Sequence, residues 1–217
     1  IKWLDEHDIP VAVTASTGIA ATHMNGQTIH GWSGIGIRET LSDYDLDMIE
    51  EKQYLYQRFQ KARVLIIDEV SMLHAHRLDM VERVCRRMKR SDAPFGGLQV
   101  ILSGDFFQLP PVTKSSPYVP ESVSQDDLWG EFADEPEEPK SDLIIHSKAW
   151  SAMKPAICYL TEQHRQEDET FLDILNAIRA NAVEEAHVEH IQNRMHAEVS
   201  VALPTKLYTH NIDVDAI

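Results

Sequence analysis

The sequence has few features of a secreted or membrane protein. Its two cysteines, Cys85 and Cys158, are far apart and form no CxxC pair, which leaves a disulfide scaffold or a zinc ribbon without support. No apolar run approaches the roughly 20 residues of a membrane-spanning helix, and the first ten residues lack the apolar centre of a signal peptide. We therefore expect a protein of a reducing compartment with no membrane partner.

Basic residues are also scarce. Lys and Arg number 20 against 35 Asp and Glu, which gives a formal net charge of -15. The segment 121–142 alone holds nine carboxylates and one lysine, so about half of the net charge is local. This composition argues against a general positive field that holds nucleic acid, because phosphate binding gains from clustered Lys and Arg.

The hydrophobic pattern predicts the fold class. With 43% hydrophobic and 25% charged residues, the chain has the composition of a soluble globular protein. Short β-branched or aliphatic runs recur with helical stretches between them, which favours an α/β fold with a mostly parallel sheet flanked by helices. The runs predict strands buried on both faces, at residues 11–14, 64–67, 98–102, 156–160 and 206–208.

Two helices are indicated by apolar residues that repeat every three or four positions. One predicted face consists of Leu78, Val81, Val84, Cys85 and Met88, and the other of Phe171, Ile174, Leu175 and Ile178. Asp168 or Thr170 is expected to cap the second helix. The acidic segment 115–142, rich in Pro and Ser, is expected to be a long solvated loop or insertion.

Polar residues follow four of the predicted strands at their carboxyl ends. They are Ser16 and Thr17 after the first strand, Asp68 and Glu69 after the second, residues 103–105 after the third and 161–165 after the fourth. In open α/β sheets, ligands bind in the crevice outside these strand ends. We therefore expect most of the chemistry at one rim of the sheet.

The string VLIIDE, residues 64–69, brings two adjacent carboxylates, Asp68 and Glu69, out of a buried strand. It matches the Walker B arrangement of nucleotide hydrolases. There the Asp holds a magnesium ion, usually through water, and the Glu orients and deprotonates the attacking water. The alternative interpretation is a strand that simply ends at the surface.

Two further strings lie at the same predicted rim. GDFFQLPP, residues 104–111, holds Gln108 after a glycine turn, where its neutral amide can contact a terminal phosphate; the alternative is a proline-braced turn. In VTASTGIAA, residues 13–21, the hydroxyls of Ser16 and Thr17 precede a helix start and suit the sugar-phosphate of a nucleic acid. Alternatively, these two residues only cap the helix that begins near Gly18.

Taken in order, the strings VTASTGIAA, GQTIHGW, VLIIDEVSML, ILSGDFFQLPPV, SKAW, LTEQHRQED and LYTHNIDVDAI resemble the Pif-type (petite integration frequency) DNA helicases of superfamily 1B, relatives of RecD. The resemblance runs along nearly the whole chain. It implies a RecA-like P-loop NTPase fold and hydrolysis of ATP with Mg2+. It also implies movement 5′ to 3′ on single-stranded DNA and unwinding of forked DNA.

The resemblance implies roles for single residues. Asp68 would be the magnesium-associated acid, Glu69 the catalytic base and Gln108 the sensor of the γ-phosphate. Arg165 would stabilise the transferring phosphate, although it is alternatively a plain surface residue before the second predicted helix. Three more residues would lie along the DNA track: Ser16, Thr17 and His30.

One motif of this family is missing from the sequence. No GxxxxGK[ST] loop occurs, because none of the nine glycines is followed by Lys. We expect this loop upstream of Ile1 and the late helicase motifs beyond Ile217, so that the chain is a fragment, truncated at both ends and inactive by itself. Residues 1–200 would then belong to the first motor domain, and 201–217 would begin the second.

Two other functions stay open at this point. One is a non-catalytic remnant of the same fold that binds nucleic acid or protein, and the other is a helicase of the RecD or relaxase type. For a helicase we expect the cytoplasm, at the nucleoid, in a bacterium, and the nucleus or mitochondrion in a eukaryote.

Two groups of histidines are spaced closely enough in the sequence to be candidate metal ligands. They are His74 with His76, and His187 with His190 and His196. Neither group has a cysteine or a cluster of carboxylates nearby in the sequence, and such histidines more often face solvent. We therefore predict that they bind no metal.

Overall fold

The structure is a computed structural model that describes residues 1–112, 142–162 and 164–195, together with Ala197 and Leu207. It divides into two compact units, Ile1–Cys158 and Tyr159–Ile217. Among the described residues, no helix has both the length and the apolar character needed to cross a lipid bilayer. The domain boundary near residue 200 stays a prediction.

A parallel sheet forms the centre of the first unit, as the sequence predicts. Its strands are β1 (Val11–Ala15), β2 (Gln27–Thr28), β3 (Val64–Asp68) and β4 (Gln99–Leu102), in the order β2-β1-β3-β4. Ala15 lies opposite Asp68, and Ile67 lies opposite Leu102. Because all neighbouring strands are parallel, their carboxyl ends lie at one edge of the sheet.

Helices flank the sheet in the first unit. In the second unit, the secondary structure of the described residues consists of helices. In the first unit they are α1 (Lys2–Glu6), α2 (Gly18–His23), α3 (Ile29–Ser33), α4 (Asp43–Glu50), α5 (Gln53–Lys61), α6 (Ala75–Lys89) and α7 (Lys148–Met153). The second unit contains α8 (Glu169–Arg179) and α9 (Glu185–Arg194). Short 3₁₀ helices lie at Val70–Met72, Pro94–Gly97 and Ile144–His146.

The core of the first unit joins β3 to the apolar face of α6. The first four residues of β3 are all buried, which is the pattern of a strand covered on both faces. The predicted face of α6 is confirmed, since its five apolar side chains are completely buried. Burying one such side chain contributes roughly 1.5–3 kcal/mol, so this face is a principal source of the unit's stability.

The basic end of α6 binds acidic residues of α4. Arg87 lies 2.5 Å from both Asp47 and Glu50, and Arg83 lies 3.2 Å from Asp43. These carboxylates offset the arginine charges. The arrangement favours a core-facing amphipathic helix over a DNA-binding basic face.

Two predicted strands differ from the structure. The sequence predicts residues 98–102 to be buried on both faces, but β4 begins at Gln99 and alternates between exposed and half-buried residues. Val100 and Leu102 pack against the core, whereas the described residues leave the face of Gln99 and Ile101 uncovered. Residues 156–160 form no strand, and Ile157 and Leu160 are 63% and 97% exposed. A strand needs a partner for its backbone groups, and the described residues offer this run none. The predicted strand 206–208 lies outside the described residues except for Leu207.

In the second unit, α8 confirms the predicted cap. The Asp168 carboxylate accepts a hydrogen bond from the Phe171 backbone N–H at 3.0 Å. Ile174 is buried on the predicted face, whereas Phe171 and Ile178 remain 42% and 55% exposed. The helix is therefore amphipathic, with a face that is only partly covered by the described residues.

Candidate nucleotide and nucleic-acid site

Backbone hydrogen bonds join the loops that follow β1, β3 and β4. The Ser16 N–H donates to the Asp68 carbonyl at 3.0 Å, and the Ser103 N–H donates to the Ile67 carbonyl at 3.0 Å. Beyond the end of the sheet, the Val70 N–H donates to the Ser103 carbonyl, also at 3.0 Å. The predicted rim therefore exists for these three strand ends.

Asp68 and Glu69 lie in the middle of this rim. β3 ends because Glu69 adopts a left-handed backbone conformation, with φ 53° and ψ 43°, which starts the following 3₁₀ turn. This conformation costs a non-glycine residue about 1–3 kcal/mol, and such strain is concentrated at functional sites. Both residues are half-buried. Within the described parts of the chain, neither carboxylate has a hydrogen-bond or ion-pair partner.

Ser16 and Thr17 both use their hydroxyls within the protein. The Ser16 hydroxyl donates to the Glu69 carbonyl at 2.7 Å and so helps to hold the strained residue. The Thr17 hydroxyl accepts from the Ala20 N–H at 3.3 Å and is the N-cap of α2. Thr17 thus caps α2, whereas Ser16 contacts the loop after β3. A role of either residue in DNA binding stays a prediction.

Gln108 lies in an exposed turn after β4. Its backbone N–H donates to the Asp105 carbonyl at 3.0 Å, and its side-chain amide donates to the Asp105 carboxylate at 3.2 Å. The same carboxylate accepts from the Phe107 N–H at 3.1 Å. Asp105 therefore orients Gln108, a role that was not predicted from the sequence. An Asp followed by turn residues was the signal that could have indicated it.

Gly104 allows this turn to pack closely against the loop after β3. A Cβ atom at Gly104 would lie 2.9 Å from Val70 Cγ2 and 3.0 Å from the Val70 backbone nitrogen. Only glycine permits so close an approach without movement of the backbone. The distance between the Gln108 turn and the two carboxylates therefore depends on this residue.

His30 lies at the other end of the rim, in α3. The β1–β2 register sets Ala15 opposite Thr28, so His30 and Thr17 each follow the end of a neighbouring strand. Burial lowers the pKa of His30, and the positive charges of Arg77, His74 and His76 lower it further. The lowered pKa favours the neutral imidazole, which can offer a hydrogen bond.

Arg165 belongs to the second unit. Its side chain is exposed, three residues before the Asp168 cap of α8. The predicted fourth strand end, 161–165, follows no strand in the structure. The phosphate-binding role of Arg165 stays a prediction.

His74 and His76 are less exposed than predicted and lie beside a carboxylate. They lie at the N-terminus of α6, half-buried, and Asp142 contacts His74 Nδ1. The carboxylate that the sequence lacked near these histidines is thus supplied from 68 residues beyond His74. Of the other group, His187 bonds Asp173 at 3.2 Å, and His196 lies outside the described residues.

Comparisons with known proteins identify the family. A family model described as PIF1-like helicase matches residues 1–189. The chain belongs to the PIF1-like helicase family. It is 44% identical over 225 aligned positions to the ATP-dependent DNA helicase Pif1 of Psychrobacter sp. (strain PRwf-1), covering all of this chain and 31% of that protein. It is 36% identical to the ATP-dependent DNA helicase RRM3 of Saccharomyces cerevisiae, covering 94% of this chain and 26% of that protein.

Solved structures of PIF1-like helicases share the fold. The crystal structure of Pif1 helicase from Candida albicans matches with a TM-score of 0.80 and 29% identity, covering 99% of this chain and 44% of that chain. Pif1 helicase from Bacteroides in complex with ADP-AlF3 and ssDNA matches with a TM-score of 0.70 and 29% identity, covering 95% and 45%. The predicted RecA-like α/β fold is confirmed. The chain spans between a quarter and a third of the length of these two curated relatives.

Proposed function

We propose that this chain is part of an ATP-dependent DNA helicase that moves 5′ to 3′ on single-stranded DNA and unwinds forked DNA. The observation that carries the proposal is the hydrogen-bonded rim, in which two carboxylates without partners among the described residues follow a buried parallel strand. Support comes from relatives named as ATP-dependent DNA helicases and from a related structure described at forked dsDNA. Such a protein acts at the nucleoid of a bacterium, or in the nucleus or mitochondrion of a eukaryote.

Asp68 is proposed to hold Mg2+ and Glu69 to accept a proton from the attacking water. Carboxylate oxygens at a half-buried strand end, with no partner in the part of the chain that the structure describes, suit this hard cation. The residues present therefore fit it. When bound, Mg2+ neutralises charge that develops on the phosphates of ATP. The strained backbone of Glu69, held through the Ser16 hydroxyl, fixes where this carboxylate points.

Gln108 and Arg165 are proposed to act on the γ-phosphate of ATP. The Gln108 amide is oriented by Asp105 and can contact the phosphate as a neutral donor. Arg165 would supply the positive charge that stabilises the transition state. The sequence contains no GxxxxGK[ST] loop, so the 217 residues alone should not hydrolyse ATP measurably.

Ser16, Thr17 and His30 are proposed to lie along the DNA track. They share the rim with the carboxylates, on the side of β1 and β2. The hydrogen bond from Ser16 to the Glu69 carbonyl then gives a direct path from DNA contact to the catalytic base. The chain is acidic overall, so we expect its single-stranded DNA binding by itself to be weak and strongly reduced by salt.

The test is ATP hydrolysis by a protein that carries these residues together with a GxxxxGK[ST] loop. Glu69→Gln should lower DNA-stimulated turnover by about 10²–10⁴-fold, since it removes the proposed base, with little change in ATP binding. Glu51→Gln, at an exposed position after α4, serves as the control. Parental turnover in Glu69→Gln contradicts the assignment of Glu69. A parent that shows no DNA-stimulated hydrolysis supports the non-catalytic remnant.

A further inference from the structure

Three side chains outside the proposed nucleotide site converge at the N-terminus of α6. His74 is the N-cap residue and His76 lies in the first turn, while Asp142 approaches from a distant part of the chain. Each side chain offers a nitrogen or oxygen atom, and these three atoms lie within 4.8 Å of one another. His76 Nδ1 lies 3.9 Å from the Asp142 carboxylate, and His74 Nδ1 contacts the same carboxylate directly.

We propose that His74, His76 and Asp142 form a binding site for a divalent transition metal ion, with zinc as the ion the site takes. Two imidazoles and one carboxylate are a ligand set that zinc binds in proteins. Ligand atoms of a tetrahedral zinc ion lie about 3.4 Å apart, given metal–ligand distances of about 2.1 Å. The observed spacing therefore needs only small side-chain rotations to close around an ion.

The backbone holds the two parts of this site in place. The Ala75 N–H donates to the Asp142 carbonyl at 3.0 Å and lies 3.2 Å from its carboxylate. An antiparallel bridge joins His74 to Leu143 immediately beside these bonds. The ligands are thus fixed relative to each other by main-chain contacts, which lowers the conformational cost of binding a metal.

A fourth side chain, Glu39, fits the role of an outer partner. Its carboxylate lies 3.6 Å from His76 Nε2, the ring nitrogen opposite the one that faces Asp142. Metal-binding histidines usually donate their second N–H to such an acceptor, which sets the tautomer and orients the ring. His76 therefore has a carboxylate on the side away from the proposed ion, as this arrangement requires.

Two features near the site oppose a cation, and both are offset. The N-terminus of α6 carries partial positive charge, and the Arg77 guanidinium lies close by. Arg77 is paired with Glu39 at 2.9 Å, and Asp142 supplies a second carboxylate. With three protein ligands and no thiolate, we expect weaker zinc binding than at structural sites with four ligands.

A bound metal would cross-link segments that are 68 residues apart and so stabilise the first unit. The experiment uses the 217-residue chain without a histidine tag, treated with EDTA and then titrated with ZnCl2 by calorimetry and by thermal unfolding. We expect one zinc per chain. We also expect Tm to rise by about 5 °C or more at a hundredfold excess over Kd.

Substitutions at the proposed ligands distinguish a loss of zinc binding from a loss of the hydrogen bonds that stabilise the metal-free protein. His76→Gln removes one ligand and leaves the His74–Asp142 contact, and Asp142→Asn keeps an acceptor for the Ala75 N–H. Both should weaken zinc binding at least tenfold, which removes about half of the Tm rise or more, with an unchanged metal-free Tm for His76→Gln. His187→Gln is the matched control, because His187 also bonds a carboxylate, that of Asp173, outside this cluster.

The proposal fails if the parent chain shows no zinc-dependent Tm rise, or if His76→Gln binds zinc as tightly as the parent. A Tm rise with MgCl2 but none with ZnCl2 would also overturn it, since the ligand set favours the transition metal. The assay requires no ATP or DNA, so its outcome is independent of the proposed helicase function.

Discussion

At the level of single residues, Asp45 differs from Asp68 and Glu69 in its hydrogen-bond partners. Asp45 accepts hydrogen bonds from Ser42 and Arg38, which lower its pKa to about 2. Asp68 and Glu69 have no such partners among the described residues, although both are half-buried. Carboxylate oxygens at a strand end that have no partner among the described residues are available to bind a cation.

Arg165 and Gln108 should affect ATP hydrolysis to different degrees in a protein that carries this chain with a GxxxxGK[ST] loop. Arg165→Ala should lower single-turnover hydrolysis of ATP by about 10³–10⁵-fold, the range for arginines that stabilise phosphoryl transfer, with little effect on ATP binding. Gln108→Ala removes only a neutral contact. It should cause a smaller loss, together with weaker stimulation by single-stranded DNA.

Arg179→Ala provides a control for Arg165→Ala, because Arg179 is another exposed arginine of the second unit. If Arg165→Ala hydrolyses ATP at the parental rate with and without DNA, then Arg165 is a plain surface residue.

Glu82 in α6 should make the stability of the first unit depend on pH. Burial raises the pKa of Glu82, although a hydrogen bond from the Phe95 N–H and the charge of Arg86 act in the opposite direction. The folded state therefore binds this proton more tightly than the unfolded state. This contribution to stability is present below the usual carboxyl pKa and is lost as pH rises through the raised pKa.

Glu82→Gln should therefore gain stability relative to the parent as pH rises from about 4 to 7. The measurement is the urea midpoint of unfolding of the 217-residue chain at several pH values. Glu51→Gln, at an exposed position, should show no such trend. A parent–variant difference that stays constant with pH would contradict the role of burial.

At the scale of elements, the loops after β1, β3 and β4 behave as one assembly. The loops after β1 and β4 are each bonded to the loop after β3 through main-chain or hydroxyl donors. The proposed nucleotide-site residues that follow β3 and β4 thus keep their spacing through backbone contacts. Their geometry should respond to any change that separates two of these loops.

Gly104→Ala should separate the Gln108 turn from Val70, because a Cβ atom would meet the Val70 backbone nitrogen at 3.0 Å. We expect a loss of about 1–3 kcal/mol in the free energy of unfolding. In a protein with the GxxxxGK[ST] loop, ATP turnover should also fall. Gly18→Ala is the matched control, since a Cβ atom at Gly18 would meet no described atom within 4 Å.

Urea denaturation of Gly104→Ala and Gly18→Ala measures the difference in their free energies of unfolding. Equal stability of Gly104→Ala and Gly18→Ala would show that the loops after β3 and β4 can move apart without cost.

At the scale of the whole molecule, the first unit has a continuous buried core, and the two cysteines differ in their relation to it. Cys85 is completely buried in α6, and burial raises the pKa of its thiol well above the usual range. Cys158 is exposed at the end of the first unit. The reactivity of Cys85 therefore depends on opening of the core, whereas that of Cys158 does not.

A thiol reagent should label Cys158 rapidly and Cys85 only when the core of the first unit opens. We expect Cys85 to react at least about 10³-fold more slowly in the native chain, given typical stabilities of folded domains. Mass spectrometry of peptides after timed labelling measures both rates, and urea should make them equal. Comparable native rates would mean that α6 does not stay packed in the core.

Local sequence alone was sufficient for several elements. β1, β3, α6 and the Asp168 cap of α8 follow from runs, periodicity and capping chemistry, which act over a few residues. The family also followed from the order of its motifs. Helices α4 and α5 were not predicted, although Ser42 and Asp45 form a capping box that signals the start of α4.

The tertiary structure decided what depends on residues far apart in the chain. β2 has only two residues and exists through its pairing with β1, and β4 is exposed on one face because the described residues cover only the face of Val100 and Leu102. The bond from Ser16 to Glu69 spans 53 residues, and the contact of His74 with Asp142 spans 68. No periodicity or spacing encodes such contacts, since the path of the backbone through the fold creates them.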